Sequence, residues 1–239
     1  MAVRGGNKAL QRWVQRIMGA HMDFAGARAE MVEYQIARRG VTDRLVLEAM
    51  GRIPREAFVL SGWEGEAYED QPLPIEERQT ISQPFMVAYM MEAAKLQPGN
   101  KALEIGTGSG YAAAVMAAIA ARVYTIERHP GLAESARRRL RELGFGNIEV
   151  RLGDGTLGWP EAQPFDAIIV TAGGPSVPAE LRQQLAVGGR LVIPVGQSMH
   201  RQSLVRVTRE GPADFHEENL ADVAFVPLIG EAGWGKPED

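Results

Sequence analysis

The chain of 239 residues contains no cysteine, which excludes disulfides, thiolate nucleophiles and cysteine metal sites. Histidine is scarce as well. His21, His129, His200 and His216 are scattered without ligand spacing, so they read as surface residues and no metal site is expected. The longest apolar run, 112–121, falls far short of the roughly 20 residues a membrane-spanning helix needs. No continuous apolar stretch follows the basic residues at the start, so a secretory signal is not expected. Neither charge sign dominates: the formal net charge of −4 gives no reason to expect nucleic acid as a partner. No repeat or low-complexity tract is present. A hydrophobic fraction of 45% and this length fit a cytoplasmic globular protein, one sizeable α/β domain with an appended region.

Arg4, Lys8, Arg12 and Arg16 are the only charges before Asp23, and Leu10, Trp13, Val14, Ile17 and Met18 share one helical face. A packing helix, a membrane-surface or transit-like segment, and an extension from an early start codon all fit that pattern. Helices are expected over Met31 to Arg39 and Thr42 to Met50, the second capped by Thr42 and ended by Gly51 and Pro54. From Ser61 to Gln83 the chain reads as a long irregular loop, a kind often functional. A helix from Pro84 to Leu96 precedes alternating strands and helices from about Lys101 to Gly196, the pattern of a doubly wound, mostly parallel sheet. Helices are expected over Pro130 to Leu143 and Val177 to Leu185, and a strand over Gly189 to Pro194. Ser203 to Thr208 and Val223 to Leu228 look like closing strands, and Gly230 to Asp239 like a loose polar tail. The chain thus divides into an N-terminal helical region with a substrate-side loop (1–80), a core (81–200) and C-terminal strands with a tail (201–239), all within one structural domain.

The run Lys101-Ala-Leu-Glu-Ile-Gly-Thr-Gly-Ser-Gly-Tyr111 is the most informative stretch. An apolar strand ends in an acid and turns through Gly106, Gly108 and Gly110 into an alanine-rich helix expected over Tyr111 to Ala121. Such a turn lets a ligand lie against bare backbone and receive the positive end of a helix dipole. Glu127 ends a second apolar stretch, about 20 residues past the first glycine, where a carboxylate can accept from ribose hydroxyls. Asp154 closes a third such stretch, suitably placed to accept from an adenine amino group. Phe165 to Val170 is a fourth, leading into the small-residue loop Thr171 to Pro175. A dinucleotide site would need Gly-x-Gly-x-x-Gly. Here the spacing is Gly-x-Gly-x-Gly, and the carboxylate of Glu104 would repel a pyrophosphate but attract an ammonium or sulfonium. The acids Glu104, Glu127 and Asp154 therefore suit S-adenosyl-L-methionine, converted to S-adenosyl-L-homocysteine by a methyltransferase.

Several further segments narrow the reading: Gln79-Thr-Ile-Ser-Gln-Pro84, Gly153-Asp-Gly155, Phe165-Asp-Ala-Ile-Ile-Val-Thr-Ala172, Gly188 to Gly196, Phe225-Val-Pro-Leu228 and Ile53-Pro-Arg-Glu-Ala-Phe58. Together with the glycine run, and in this order from about Met31 to Leu228, they resemble the protein-L-isoaspartate(D-aspartate) O-methyltransferase family. That resemblance implies a Rossmann-like methyltransferase fold and a repair activity. The free α-carboxylate of L-isoaspartyl residues in damaged proteins and peptides would be methylated, and the ester would collapse to a succinimide. By position it implies that Ser82 is the active-site serine, assisted by Thr80, and that Gln83 and Pro84 edge the cofactor. Glu104, Gly106, Thr107, Gly108 and Gly110 would hold the methionine end, Glu127 the ribose, and Asp154 with Gly155 the adenine. Backbone N–H groups of Thr171, Ala172 and Gly173 would bind the substrate main chain. Such an enzyme is expected to be a monomer.

A carboxylate nucleophile is ionised at neutral pH, so such chemistry needs alignment and dehydration rather than a strong base. Ser82 also fits a plainer role as a helix N-cap just before Pro84. The chain departs from the family where Ile75-Glu-Glu-Arg-Gln79 replaces a glycine-containing stretch, and where Phe85 replaces a polar aromatic residue. Arg137, Arg138, Arg139 and Arg141 read as a solvated helix face. Trp63 and Tyr68 suit either a peptide cleft or packing of the loop. Two other functions remain open: a related methyltransferase for another carboxylate or a small molecule, and a cofactor-binding adaptor without turnover.

Overall fold

The computed structural model describes residues 23–198 and 201–235. The basic segment at the start, His21 and His200 therefore lie outside the described residues. Helix α1 (Phe24–Glu30) is capped by Asp23, whose carboxylate accepts from Gly26 N at 2.8 Å. The sequence predicts one helix over Met31 to Arg39. Instead the chain widens into a π-turn segment (Met31–Ile36), tightens into a 3₁₀ turn (Ala37–Arg39) and stops at Gly40 with φ 103°. Helix α2 (Arg44–Arg52) starts two residues later than expected. Its cap is Asp43, whose Oδ1 accepts from Leu45 N (2.8 Å) and Val46 N (3.3 Å). Thr42 has another task. Its N–H and that of Asp43 both donate to Glu92 Oε1, at 2.6 and 2.7 Å, tying α2 to helix α3 (Pro84–Ala93).

Within 61–83 the chain holds a small hairpin, β1 (Leu73–Pro74) paired antiparallel with β2 (Thr80–Ile81). The main sheet contains β3 (Lys101–Ile105), β4 (Arg122–Glu127), β5 (Ile148–Leu152), β6 (Phe165–Val170), β7 (Leu185–Ser198), β8 (Arg201–Arg209) and β9 (Phe215–Val223). Its order is β5-β4-β3-β6-β7-β8-β9. The five strands β5 to β7 are parallel to their neighbours, while β8 and β9 close the sheet antiparallel. This is the doubly wound, Rossmann-like sheet that the alternation predicts.

Helices α4 (Tyr111–Ala117), α5 (Pro130–Glu142) and α6 (Ala179–Gln183) complete the parallel part. The alanine-rich helix α4 is shorter than expected because Ala118, Ile119 and Ala120 fold into a tight turn. Ala121 and Arg122 then donate to Asn100 O, which aims the chain into β4.

Strand alternation sorts the buried residues onto two faces. Ala102, Val123, Ala167, Ile169, Val192 and Leu204 pack under α2, α3 and α4. Leu103, Ile105, Ile126, Ile168, Val170, Leu191 and Ile193 meet Leu181 of α6 and Trp159 on the other side. The last strand lies earlier than the apolar run 223–228 predicts. β9 is the polar stretch before it, while Gln202 exchanges two hydrogen bonds with the backbone of Phe225 (2.9 and 3.1 Å) and draws the run off the sheet. The tail is not loose through Trp234. Glu231 N donates to Asp154 Oδ2 (2.8 Å), Ala232 N to Thr156 Oγ1 (3.2 Å) and the Trp234 indole to Gly173 O (2.8 Å).

The capping assignment sets one expectation. Asp43→Ala should lower unfolding free energy by about 1 kcal/mol, the usual worth of an N-cap. Thr42→Ala should cost less than half as much in the same urea titration, since its hydroxyl reaches Glu92 only at 3.4 Å.

Candidate active site

In an open parallel sheet, ligands bind beyond the carboxyl ends of the strands, where the strand order reverses. Here the chain reverses between β3 and β6, and the loops leaving those two strands, Gly106 to Gly110 and Thr171 to Pro175, face each other. The Thr171 hydroxyl donates to the carbonyls of Ile105 and Gly106, at 3.0 and 2.9 Å, and so locks the two loops together. Gly106 stands at φ 97°, and a Cβ there would come within 2.5 Å of Thr171 Oγ1. No other residue type fits that approach.

Three cavities meet over these loops. The first, about 590 Å³ with its open mouth, is lined by Gly106, Gly108, Glu127, Gly155 and the run Val226 to Ile229. The second, about 300 Å³, lies between Glu104, Thr107, Tyr111 and Ser82. The third is an open groove of about 1240 Å³ along Ser82, Gln83, Met86 and Asp222 to Val226. Thr80 and Thr171 line all three, and Ser82 lies on the border between the second and the third.

Glu104 is fully buried and lies directly across the ladder from Thr125. Thr125 donates to its Oε2 at 2.5 Å and is itself 2.6 Å from the Thr107 hydroxyl. Among the described residues Oε1 has no hydrogen-bond partner. Burial pushes the Glu104 carboxyl up to about 8; the Thr125 hydrogen bond opposes this, the charge of Glu127 adds to it, and the Ala113 amide nearby opposes it without bonding Oε1. A buried carboxyl with one free oxygen is an acceptor waiting for a cation. Glu127 is also buried, but each of its oxygens is held. Oε2 accepts from Gly108 N and Oε1 from His129 N, both at 2.9 Å. A carboxylate pinned this way keeps a lone pair on each oxygen for hydroxyl donors.

The remaining expected residues divide. Gly155 lines the first cavity, and a Cβ there would collide with Ile105. Asp154 lies just outside the lining and caps the 3₁₀ turn Gly155–Leu157, accepting from Thr156 N and Oγ1 as well as from Glu231 N. Gly110 faces Leu140 of α5 rather than the cavities. Gln83 lines the groove, whereas Pro84 is buried at the start of α3. The capping role open to Ser82 is not taken: Gln83 occupies the N-cap position, and the Ser82 hydroxyl has no partner among the described residues. The amides of Thr171 and Gly173 already donate to Ile105 O and Val226 O, so they are not free for a substrate. His129, read as a surface residue, lines the first cavity. Tyr68 packs the loop down through Arg28 and Glu56 and lines none of the three cavities. Sequence reasoning missed Thr125, whose place opposite Glu104 is a matter of register. It also missed Asp70, which accepts from the Gln83 side chain (2.7 Å) and from Phe85 N (3.3 Å) and so steadies the turn after Ser82.

The tip of the β1–β2 hairpin, Ile75 to Gln79, roofs the junction. Ile75 sits over Gly108, and Glu77 reaches toward Gly131 and His129 at the start of α5. Glu77 and Arg78 hold φ 56° and 54°, the left-handed region, without being glycine.

Two expectations follow from this geometry. Between pH 4.5 and about 8 the folded chain keeps a proton on Glu104 that the unfolded chain releases, so rising pH favours unfolding. Relative to Glu104→Gln, the cofactor-free protein should therefore lose stability as pH rises through that window. The slope approaches roughly 1.4 kcal/mol per unit, read from urea unfolding at several pH values. Arg78→Gly relieves left-handed strain at a side chain with no partner among the described residues. It should raise the urea-derived stability by about 0.5–1 kcal/mol, and a fall would contradict the strain.

The chain is similar to known proteins over most of its length. The family model for protein-L-isoaspartate(D-aspartate) O-methyltransferase matches residues 27–233. A protein-L-isoaspartate O-methyltransferase of Protochlamydia amoebophila is 56% identical over 85% of this chain and 97% of its own length. A second, from Pelobacter propionicus, is 57% identical over 85% and 91%. Among solved structures, a protein-L-isoaspartate O-methyltransferase superposes with a TM-score of 0.78 at 32% identity, over 86% of this chain and 67% of that one. A Plasmodium falciparum chain assigned to the same enzyme class, in complex with S-adenosyl-L-homocysteine, superposes at 0.73 with 26% identity, over 84% and 98%. By this match over most of its length, the chain belongs to the protein-L-isoaspartate(D-aspartate) O-methyltransferase family and is an S-adenosylmethionine-dependent methyltransferase.

Proposed function

We propose that this enzyme methylates the free α-carboxylate of L-isoaspartyl residues in proteins and peptides, with the three cavities dividing the work. The observation that carries the reading is the unpartnered, buried Oε1 of Glu104 beside a glycine loop, a site built for a cationic cofactor head. Glu104, with Gly106 and Gly108, would hold the methionine end of S-adenosylmethionine, and Thr107 would brace Glu104 through Thr125. Glu127 would take the ribose. Gly155 and the run Val226 to Ile229 would enclose the adenine. Asp154 would reach it only through the acceptor capacity that Thr156 and Glu231 leave. When bound, that cofactor supplies an activated methyl group.

The chain's own residues supply position. The substrate carboxylate is already ionised, so no side chain has to remove a proton from it. The unengaged hydroxyl of Ser82, on the border between cofactor cavity and open groove, is placed to hold that carboxylate, and Thr80 lies beside it. The groove beyond accepts the peptide, and the hairpin tip Ile75 to Gln79 keeps water from the junction. Substrate main-chain contacts fall to the groove walls rather than to the Thr171 and Gly173 amides, and Ala172 faces the first cavity instead. The reading carries with it a cytoplasmic, monomeric enzyme that takes no nucleic acid. The formal net charge of −4 supports the last of these. Among the described residues no helix is long and apolar enough to cross a membrane.

The test is methyl transfer from labelled S-adenosylmethionine to paired peptides carrying L-isoaspartate or aspartate. Label should enter the isoaspartyl peptide alone, and equal labelling of both would refute the substrate assignment. Ser82→Ala should cost about 10- to 100-fold in kcat/KM, the worth of one hydrogen bond to a charged group.

A further inference from the structure

Beneath Ser82 lies an arginine that nothing in the mechanism above uses. Arg55 opens the 3₁₀ turn Arg55–Phe58 and is fully buried, the largest side chain so enclosed. Its Nε donates to Ala67 O at 2.7 Å and its Nη2 to Ser82 O at 2.9 Å. The guanidinium lies 4.8 Å from the centroid of the Tyr111 ring, the first residue of α4 after the glycine loop. Among the described residues Nη1 is buried without a hydrogen-bond partner, and no carboxylate hydrogen-bonds the group. Asp70 acts on it only through its charge, and a buried guanidinium with no carboxylate hydrogen bond and no full set of acceptors is costly. Packing alone gives no reason to keep one where a methionine would fill the volume. What the charge does here is bridge. One side chain joins the loop at Ala67, the backbone at Ser82 and the ring of Tyr111, and both Ser82 and Tyr111 line the small cavity.

We infer that Arg55 is a positioning residue that sets the distance between Ser82 and the glycine-loop helix, and through it the alignment of substrate carboxylate and methyl donor. This rests on the role proposed for Ser82. Alignment is where the rate of such a transfer is decided, since a displacement of about 1 Å can cost 10²-fold. The planar fork of arginine suits the task because Nε and Nη2 serve two carbonyls at once; a lysine would serve one and leave Ser82 free to shift.

The test is a double-mutant cycle on the full chain with Arg55→Lys and Ser82→Ala, following kcat and KM for an isoaspartyl peptide and the Kd of S-adenosylmethionine. Arg55→Lys is expected to lower kcat about tenfold with Ser82 present, to leave the cofactor Kd within about twofold, and to have little effect in the Ser82→Ala background. Equal losses in both backgrounds would overturn the inference, leaving Arg55 a packing residue. So would a loss carried by cofactor affinity, which would place its action on the glycine loop. If Ser82→Ala alone leaves turnover unchanged, the role given to Ser82 is what fails, and the two failures are told apart. Should Arg55→Lys not fold, Arg55→Met, which fills the volume without a charge, takes its place under the same criteria.

Discussion

A carboxyl group on the buried face of a parallel sheet is the constraint around which this molecule is organised. Glu104 occupies a position where its strand neighbours place apolar side chains, and it survives there because register sets Thr125 opposite and Thr107 beyond. Burial without a full partner set costs free energy in the empty protein. That cost is the reverse side of affinity: a group held neutral by its surroundings gains most from a cation that restores its charge. The second acid, Glu127, works oppositely, pinned by two backbone amides so that its lone pairs point where they are needed.

Nothing in the site resembles a strong base, and the chemistry asks for none. What the fold provides is a meeting point of three cavities at Thr80 and Thr171, reached from a loop after β3, a loop after β6 and a hairpin outside the sheet. These pieces come from distant parts of the chain and are held by groups with no share in the reaction. Thr171 locks the two loops, Asp70 fixes the turn after Ser82, and Arg55 spans from beneath.

The glycine run, the acids at strand ends and the strand Phe165–Val170 were legible because each is a local pattern tied to one backbone geometry. The cap of α2 was misread by one residue because Thr42 and Asp43 are both capping types, and only the pull of Glu92 on the Thr42 amide decides between them. β9 escaped notice because an edge strand that is largely exposed carries little apolar alternation. The apolar run after it looked more strand-like, yet it walls the first cavity because Gln202 turns it aside. Arg55 is an ordinary surface residue type by composition, and no local pattern marks a burial that arises from Ala67, Ser82 and Tyr111 closing over it. His129 belongs to the same class of omission.

The tie between the terminal turn and the glycine-rich end of the sheet bears on how the protein comes to be made. Glu231 meets Asp154 across 77 residues, and Trp234 meets Gly173 across 61, after β8 and β9 have been added to the sheet. Contacts of such separation each require a long loop to close, as does the pairing of Ala102 with Ala167 in the parallel sheet. The wall formed by Val226 to Ile229 is therefore held between the sheet edge and the terminal turn, and a chain in which either has come away lacks one side of the first cavity. A half-folded chain of this kind gains no protection from its own ligand, which stabilises only molecules that have completed the journey.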